Sequence, residues 1–334
     1  MAHITIQQRQ VWRQLATVVF LGSLLASPTT EAQPARPFAL AAAVGIPGGG
    51  GPGSPPCGTH PAYLNPVLLF HFVGTAPLDV PVTIPACPSS SINDPIYVAF
   101  DNRGELFVAN RHGNQGGFGS VARVVFENDG TPVDNGVITD PGLNAPHGLA
   151  FSHNGELFAA NYLTGTISRF RFSPRGNAIP NGTINVGVGG LIGLAFNRKG
   201  ELFVTASSPT VYRFVFNPAT GAALPNGTFS VPGSAALHAL AFNAKGELFI
   251  VEPYTDRVYR FRFDPDGTAI ENGFFAAPRG PIGLAFSPVG ELFVGGHFGG
   301  WITRFVFDSH GNPVESGSTE TPQLGGLAIY PSAP

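Results

Sequence analysis

Charge is scarce in this sequence. Asp, Glu, Lys and Arg make up 12% of the 334 residues, about half of the usual share in soluble domains. Lysine is reduced to Lys199 and Lys245, and no basic run occurs. A nucleic-acid binder should carry a basic stripe, so that class is set aside. Cysteine occurs only at 57 and 87, which excludes paired-cysteine metal knuckles. There is no G-x-S-x-G nucleophile elbow. The Gly-rich stretch at 45–53 lacks the Lys-Ser/Thr ending and following helix of a phosphate loop. After the first 32 residues, no segment is apolar and long enough to span a bilayer, and no helix-period stretch of useful length appears.

The sequence is rich in glycine (44), proline (32) and phenylalanine (28). The N-terminus reads as an export signal. Arg9 and Arg13 precede the short apolar run Leu15 to Ala26, and small residues end at Ala32. This predicts a signal peptide over 1–32, cleavage near Ala32 and a secreted or periplasmic protein without a membrane span. An even cysteine count in an exported chain fits one disulfide, Cys57 with Cys87, contributing about 2–4 kcal/mol. Residues 33–61 are dominated by Pro and Gly, as in GIPGGGGPGSPP, and read as a flexible linker.

The remainder, 62–334, is repetitive. GELF starts at Gly104, Gly155, Gly200, Gly246 and Gly290. A short apolar run precedes each copy: IYVAF (96–100), HGLAF (147–151), IGLAF (192–196), HALAF (238–242) and IGLAF (282–286). An Arg-led run follows: RVVF (123–126), RFRF (169–172), RFVF (213–216), RFRF (260–263) and RFVF (304–307). A turn, often with Asn-Gly, then leads to a fourth short run. A period of about 45 residues holding four strands points to a propeller blade. The three-residue links ending in Gly (DNRG, SHNG, NRKG, NAKG, SPVG) fit a type I turn followed by a left-handed residue. A sixth first strand, GGLAI (325–329), lies near the C-terminus. LLFHF (68–72) and VPVTI (80–84) match third and fourth strands. The expected fold is all-β, a six-bladed propeller whose last blade combines both ends of the chain and thereby hides sheet edges.

The pattern GLAF-xxx-GELFVAN…RF resembles NHL-repeat propellers and their relatives, the gluconolactonase-like and virginiamycin B lyase-like proteins. The resemblance runs from about residue 62 to the end. It implies the fold, whereas activity varies across such propellers.

Residues present in every repeat are expected to be scaffold. They include Glu105, Glu156, Glu201, Glu247 and Glu291, and Arg123, Arg169, Arg213, Arg260 and Arg304, read here as polar links between strands or blades. Residues that break the repeat are candidates for function. In propellers of the resembled kind, the mouth of the central channel collects the entries to first strands and the loops after second strands. His147 and His238 stand at first-strand entries where other blades have Ile or Gly. The resemblance implies that this position can supply metal ligands, with His297, His112 or Glu252 completing the set around one divalent ion, Zn²⁺ or Ca²⁺. Glu252 is also the candidate general base. The alternative is that both histidines line a wet channel. His112, Asn161, Tyr162, Tyr254, Asp256 and Trp301, with Phe298, are further candidates for binding on the same face. The sequons at 181–183 and 226–228 fall in repeat turns, which turn chemistry explains.

Two functions follow as expectations. One is a binding or interaction module that presents the mouth to a small molecule, glycan or protein. The other is a metal-dependent hydrolase or lyase with a histidine-based site.

Overall fold

A computed structural model describes residues 38–44, 67–73, 76–77, 81–85, 91–112, 119–277, 279–298, 300–321 and 324–329. Residues 1–32 and both cysteines lie outside the described residues, so the expected signal peptide and disulfide do too.

In chain order the strands begin with β1 (Phe38–Val44), β2 (Val67–Val73), β3 (Ala76–Pro77) and β4 (Val82–Ile84). Blade 1 contains β5 (Pro95–Phe100), β6 (Leu106–Asn110), β7 (Ser120–Phe126) and β8 (Pro132–Ile138). Blade 2 contains β9 (Pro146–Phe151), β10 (Leu157–Asn161), β11 (Thr166–Phe172) and β12 (Ala178–Asn185). Blade 3 contains β13 (Leu191–Phe196), β14 (Leu202–Ala206), β15 (Ser208–Phe216) and β16 (Ala223–Ser230). Blade 4 contains β17 (Leu240–Phe242), β18 (Leu248–Glu252), β19 (Arg257–Phe263) and β20 (Ala269–Ala276). Blade 5 contains β21 (Pro281–Phe286), β22 (Leu292–Gly296), β23 (Trp301–Phe307) and β24 (Pro313–Glu320), and β25 (Leu324–Ile329) follows.

Each blade is an antiparallel meander. The sixth, closing blade runs β25–β1–β2, with β3 and β4 both paired to β2. The molecule is therefore a six-bladed β-propeller closed by strands from both ends of the chain. The innermost strands β5, β9, β13, β17, β21 and β25 pack against one another in sequence around the ring.

One element differs from the sequence expectation. Residues 33–61 were expected to form a linker, yet β1 lies within them and is the second strand of the closing blade. Its sequence, FALAAAV, lacks the GELF signature. Small alanines suffice there because β1 is sandwiched between β25 and β2, and Leu40, Ala41, Ala42 and Ala43 are all buried.

The repeated residues form a joint at the boundaries between blades 1 and 2, 2 and 3, and 3 and 4. In blade 2, Arg169 donates from Nε and Nη2 to the two carboxylate oxygens of Glu156, both at 3.0 Å. Its Nη1 donates to the Gly221 carbonyl of blade 3 at 2.9 Å. Its guanidinium also sits 5.2 Å from the Phe158 ring and 5.4 Å from the Phe216 ring of blade 3. Phe158 contacts Phe196 and Phe216 edge-on. The same pattern links blade 1 to blade 2 through Arg123 and Gly176, and blade 3 to blade 4 through Arg213 and Gly267. Asn135, Asn181, Asn226 and Asn272, the asparagines of the outer-strand Asn-Gly pairs, donate to the same glutamates. Here the charge is paired, hydrogen-bonded and covered by aromatic faces, as a buried ion pair requires.

The closing blade replaces this joint. By register, Ala41 takes the place of Phe107 and Leu69 that of Arg123. The seam with blade 1 is apolar, built from Ala41, Leu69, Ile84, Ile92 and Val98 among others. The turn glycines adopt the expected left-handed conformation, with φ between 77° and 88° at Gly104, Gly155, Gly200, Gly246 and Gly290.

Candidate functional site

The channel mouth is built from two recurring positions, the entry to each first strand and the exit from each second strand. In blades 1, 2 and 5 the residue before the entry proline is left-handed: Asp94 (φ 50°), Ala145 (φ 49°) and Gly280 (φ 63°). Its carbonyl accepts the backbone N–H of the exit residue, Arg111, Tyr162 or His297 respectively. Asp94 and Ala145 adopt this conformation without being glycine, at a cost of about 1–2 kcal/mol each. Both strained residues lie at the mouth.

His147 opens β9. Its Nδ1 lies 2.9 Å from the Ala145 carbonyl, which can only accept, so Nδ1 carries the proton in the neutral ring and Nε2 the lone pair. Its ring stacks on Tyr162 at 4.6 Å and lies 6.3 Å from Tyr97. Burial pushes its pKa down to about 4, helped by the charges of Arg111 and His238 and opposed by the Ala145 hydrogen bond and Asp94.

His238 precedes β17. Its backbone is anchored, with N–H donating to Val251 and carbonyl accepting from the Thr205 hydroxyl. Its side chain is not: Nδ1 is buried and has no hydrogen-bond partner among the described residues. Burial again lowers the pKa to about 4, with His297 acting in the same direction and Glu252 against it. His297 follows β22, and its Nδ1 donates to the Leu324 carbonyl of the closing blade at 2.9 Å.

Blade 1, next to the blade of His147, holds a carboxylate–imidazole pair. Asp94 Oδ2 accepts from His112 Nδ1 at 2.6 Å and from Arg111 Nε at 2.9 Å. Burial alone would raise the Asp94 pKa, but the hydrogen bond from His112 and the charge of Arg111 outweigh it and hold the carboxyl low. Asp94 stays ionised and fixes the His112 ring.

Several sequence candidates have other work. Asn161 and Glu252 end second strands and are fully buried. Asn161 Oδ1 accepts the backbone N–H of Asn144, and its amide donates to Thr166 and Ser168. Glu252 accepts from the Thr255 N–H at 2.7 Å, from the Thr255 hydroxyl and from the Ala235 N–H. Asn110 does the same in blade 1, accepting from Asn93. These three equivalent residues each pin the loop that enters their own blade, so Glu252 as general base and Asn161 as ligand contact give way to a structural role. Asp256 accepts the Gly280 N–H at 2.7 Å and joins blades 4 and 5. Trp301 stacks under the Arg279 guanidinium at 4.1 Å. Tyr254 and Phe298 are exposed at the rim, at 69% and 58%. Among the described residues, no three His, Cys, Asp or Glu side chains come together in a way that could hold a metal ion. His147, His238 and His297 therefore do not form the expected ligand set.

The sequence reading missed Tyr97. It stands where the other entries have Gly or Ala, and its side chain reaches past the closing blade to blade 5. Its hydroxyl donates to the Ile282 carbonyl of blade 5 at 3.1 Å. It passes over Gly326 in the closing blade, where an added Cβ would lie 2.3 Å from Tyr97 Cδ1. The ring is buried, which pushes the phenol pKa upward. Tyr97 thus lies among the first-strand entries, with its ring 6.3 Å from that of His147. A bulky residue at a repeat's glycine position was the available signal. Asp94 was also missed, because it lies outside the repeated strings.

No protein-family model and no curated protein matches the sequence. Solved structures do match in fold. A chain of a nidogen/laminin complex aligns with a TM-score of 0.62 at 14% identity, over 88% of this chain and 98% of that one. The periplasmic gluconolactonase of Pseudomonas aeruginosa aligns with a TM-score of 0.59 at 17% identity, over 90% and 100%. A streptogramin B lyase aligns with a TM-score of 0.51 at 13% identity, over 87% and 91%. The chain is thus similar in fold to lactonase and lyase propellers and to a chain from a protein–protein complex. At these identities the likeness concerns the fold alone.

Proposed function

We propose that the protein is an exported binding propeller whose channel mouth takes a small polar molecule or the end of a glycan. The observation that carries this reading is the buried, unpartnered Nδ1 of His238. A polar atom left unsatisfied in a buried site costs about 1–3 kcal/mol, which a ligand's hydrogen bond would recover. The buried Tyr97 ring beside His147 and the stacked His147–Tyr162 pair supply flat aromatic surface at the mouth. No step of this reading needs a metal ion.

The test is NMR of the protein labelled with ¹⁵N-histidine, titrated with monosaccharides, sugar acids and lactones. The expected result is a shift of the His238 nitrogens with at least one probe, lost in His147→Ala. Histidine signals that stay fixed with every probe would overturn the reading.

A second reading, a hydrolase or lyase, is favoured by the His112–Asp94 pair, since a carboxylate that orients an imidazole is what a general base needs. It predicts turnover of lactones or cyclic depsipeptides that falls by about 10²-fold or more in His112→Ala. Absence of turnover with wild-type protein would remove it.

A further inference from the structure

The face opposite the mouth consists of the turns joining first to second and third to fourth strands. On blades 2 and 3 and the first turn of blade 4, this face carries Arg171, Arg175, Arg198, Lys199 and Lys245, all exposed. From Leu157 to Gly246 the only acidic residue is Glu201. It is buried and bonded to Arg213, just as the preceding Glu156 is buried and bonded to Arg169. No carboxylate in this arc is exposed. The exposed acids of the same face bound this arc: Glu127 and Asp129 on blade 1, Asp264 and Asp266 on the Gly267 turn of blade 4 where the arc ends, and Asp308 on blade 5. A chain with a net charge of -3 therefore presents one surface of a single, positive sign.

The arc is continuous and firmly held. Arg169 donates to the Gly221 turn of blade 3, and Arg213 to the Gly267 turn of blade 4. The Arg171 guanidinium also lies against the Gly221 turn. Consecutive blades of a six-bladed ring are about 60° apart, so the five cations follow a curve across three blades, longer than a single small anion can bridge. The turns of this arc carry no exposed aromatic side chain, and the exposed aliphatics beside them are only the single Ile179, across the strand pair from Arg171, and Leu224. Stacking of nucleic-acid bases needs exposed aromatics, and insertion into a lipid surface needs a broader apolar face than these two provide. A partner met mainly by arginine forks and lysine ammonium groups is one whose carboxylates or sulfates repeat along a hydrophilic chain. We infer that this arc docks an acidic polysaccharide, on a surface separate from the channel mouth.

The test measures the affinity of the full protein for polygalacturonate and dextran sulfate. Neutral dextran, phosphatidylglycerol vesicles and a single-stranded oligonucleotide serve as comparators, at low and near-physiological salt. Binding to both acidic polysaccharides that weakens with salt is expected. The combined variant Arg175→Glu, Arg198→Glu, Lys199→Glu and Lys245→Glu should lose at least tenfold in affinity. Arg279→Glu, a reversal on the mouth face, should bind like wild type. If the combined variant unfolds at a lower temperature, Arg175→Glu and Lys199→Glu separately should each lose about threefold, in line with the loss of a surface charge contact of under 1 kcal/mol. Failure to bind polysaccharide at low salt, equal binding by the variants, or equally tight binding to vesicles or the oligonucleotide would overturn the inference.

Discussion

The hydroxyl of Tyr97 donates to the carbonyl of Ile282, a residue 185 positions further along the chain, at 3.1 Å. One side chain in blade 1 thereby reaches blade 5 past the closing blade. Tyr97→Phe removes only the hydrogen bond and is expected to cost about 0.5–1.5 kcal/mol. Tyr97→Ala also removes the buried ring and should cost about 3–5 kcal/mol, as large aromatic truncations do. Urea unfolding of the two variants measures both. Equal losses would mean that the ring contributes nothing beyond its hydroxyl.

The joint between blades is expected to respond strongly to loss of one partner. Glu156→Ala leaves Arg169, 8% exposed, without its carboxylate. Breaking a buried pair in this way typically costs about 3–5 kcal/mol. The denaturation midpoint should fall, while binding at the mouth by the folded protein stays unchanged. An unaltered midpoint would show that the joint is not a source of stability.

Acid should destabilise the protein through the mouth. His147 and His238 have folded pKa values lowered from 6.5 to about 4. Between those values the unfolded chain binds more protons than the folded one, so stability rises with pH there. The contribution is complete above about pH 6.5, is lost as pH falls towards 4, and changes no further below that. The midpoint in urea, measured from pH 7 to pH 4, should show this slope, and His147→Gln with His238→Gln should flatten it.

Glu252→Gln is expected to act on stability rather than chemistry. The carboxylate is fully buried and accepts from Thr255 and Ala235, so exchanging one acceptor oxygen for a donor group sets it against one of those N–H groups. A loss of about 1–3 kcal/mol follows. A variant of wild-type stability that has lost a catalytic activity would restore Glu252 as a base.

Asn161 and Glu252 illustrate the limits of reading a site from position alone. Both occupy the second-strand exit on the functional face, which made them candidates. Only the loop returning 17 residues earlier shows what they bond to. His112 was legible as a mouth residue, but its partner Asp94 lies 18 residues before it and outside the repeated strings. The alanine-rich β1 was invisible for another reason: its environment on both sides, rather than its own pattern, makes it a strand.

The sequence alone determined the blade, its period, the number of blades and the pairing of glutamate with arginine. Those features depend on contacts that recur at short, fixed separations, so each repeat states them again. Tertiary structure decided what occurs once: the Tyr97–Ile282 contact, the unpartnered His238, the second strand of the closing blade and the gathering of scattered cations onto one face. Each of these depends on groups that only ring closure brings together, and no local pattern encodes the distance between them.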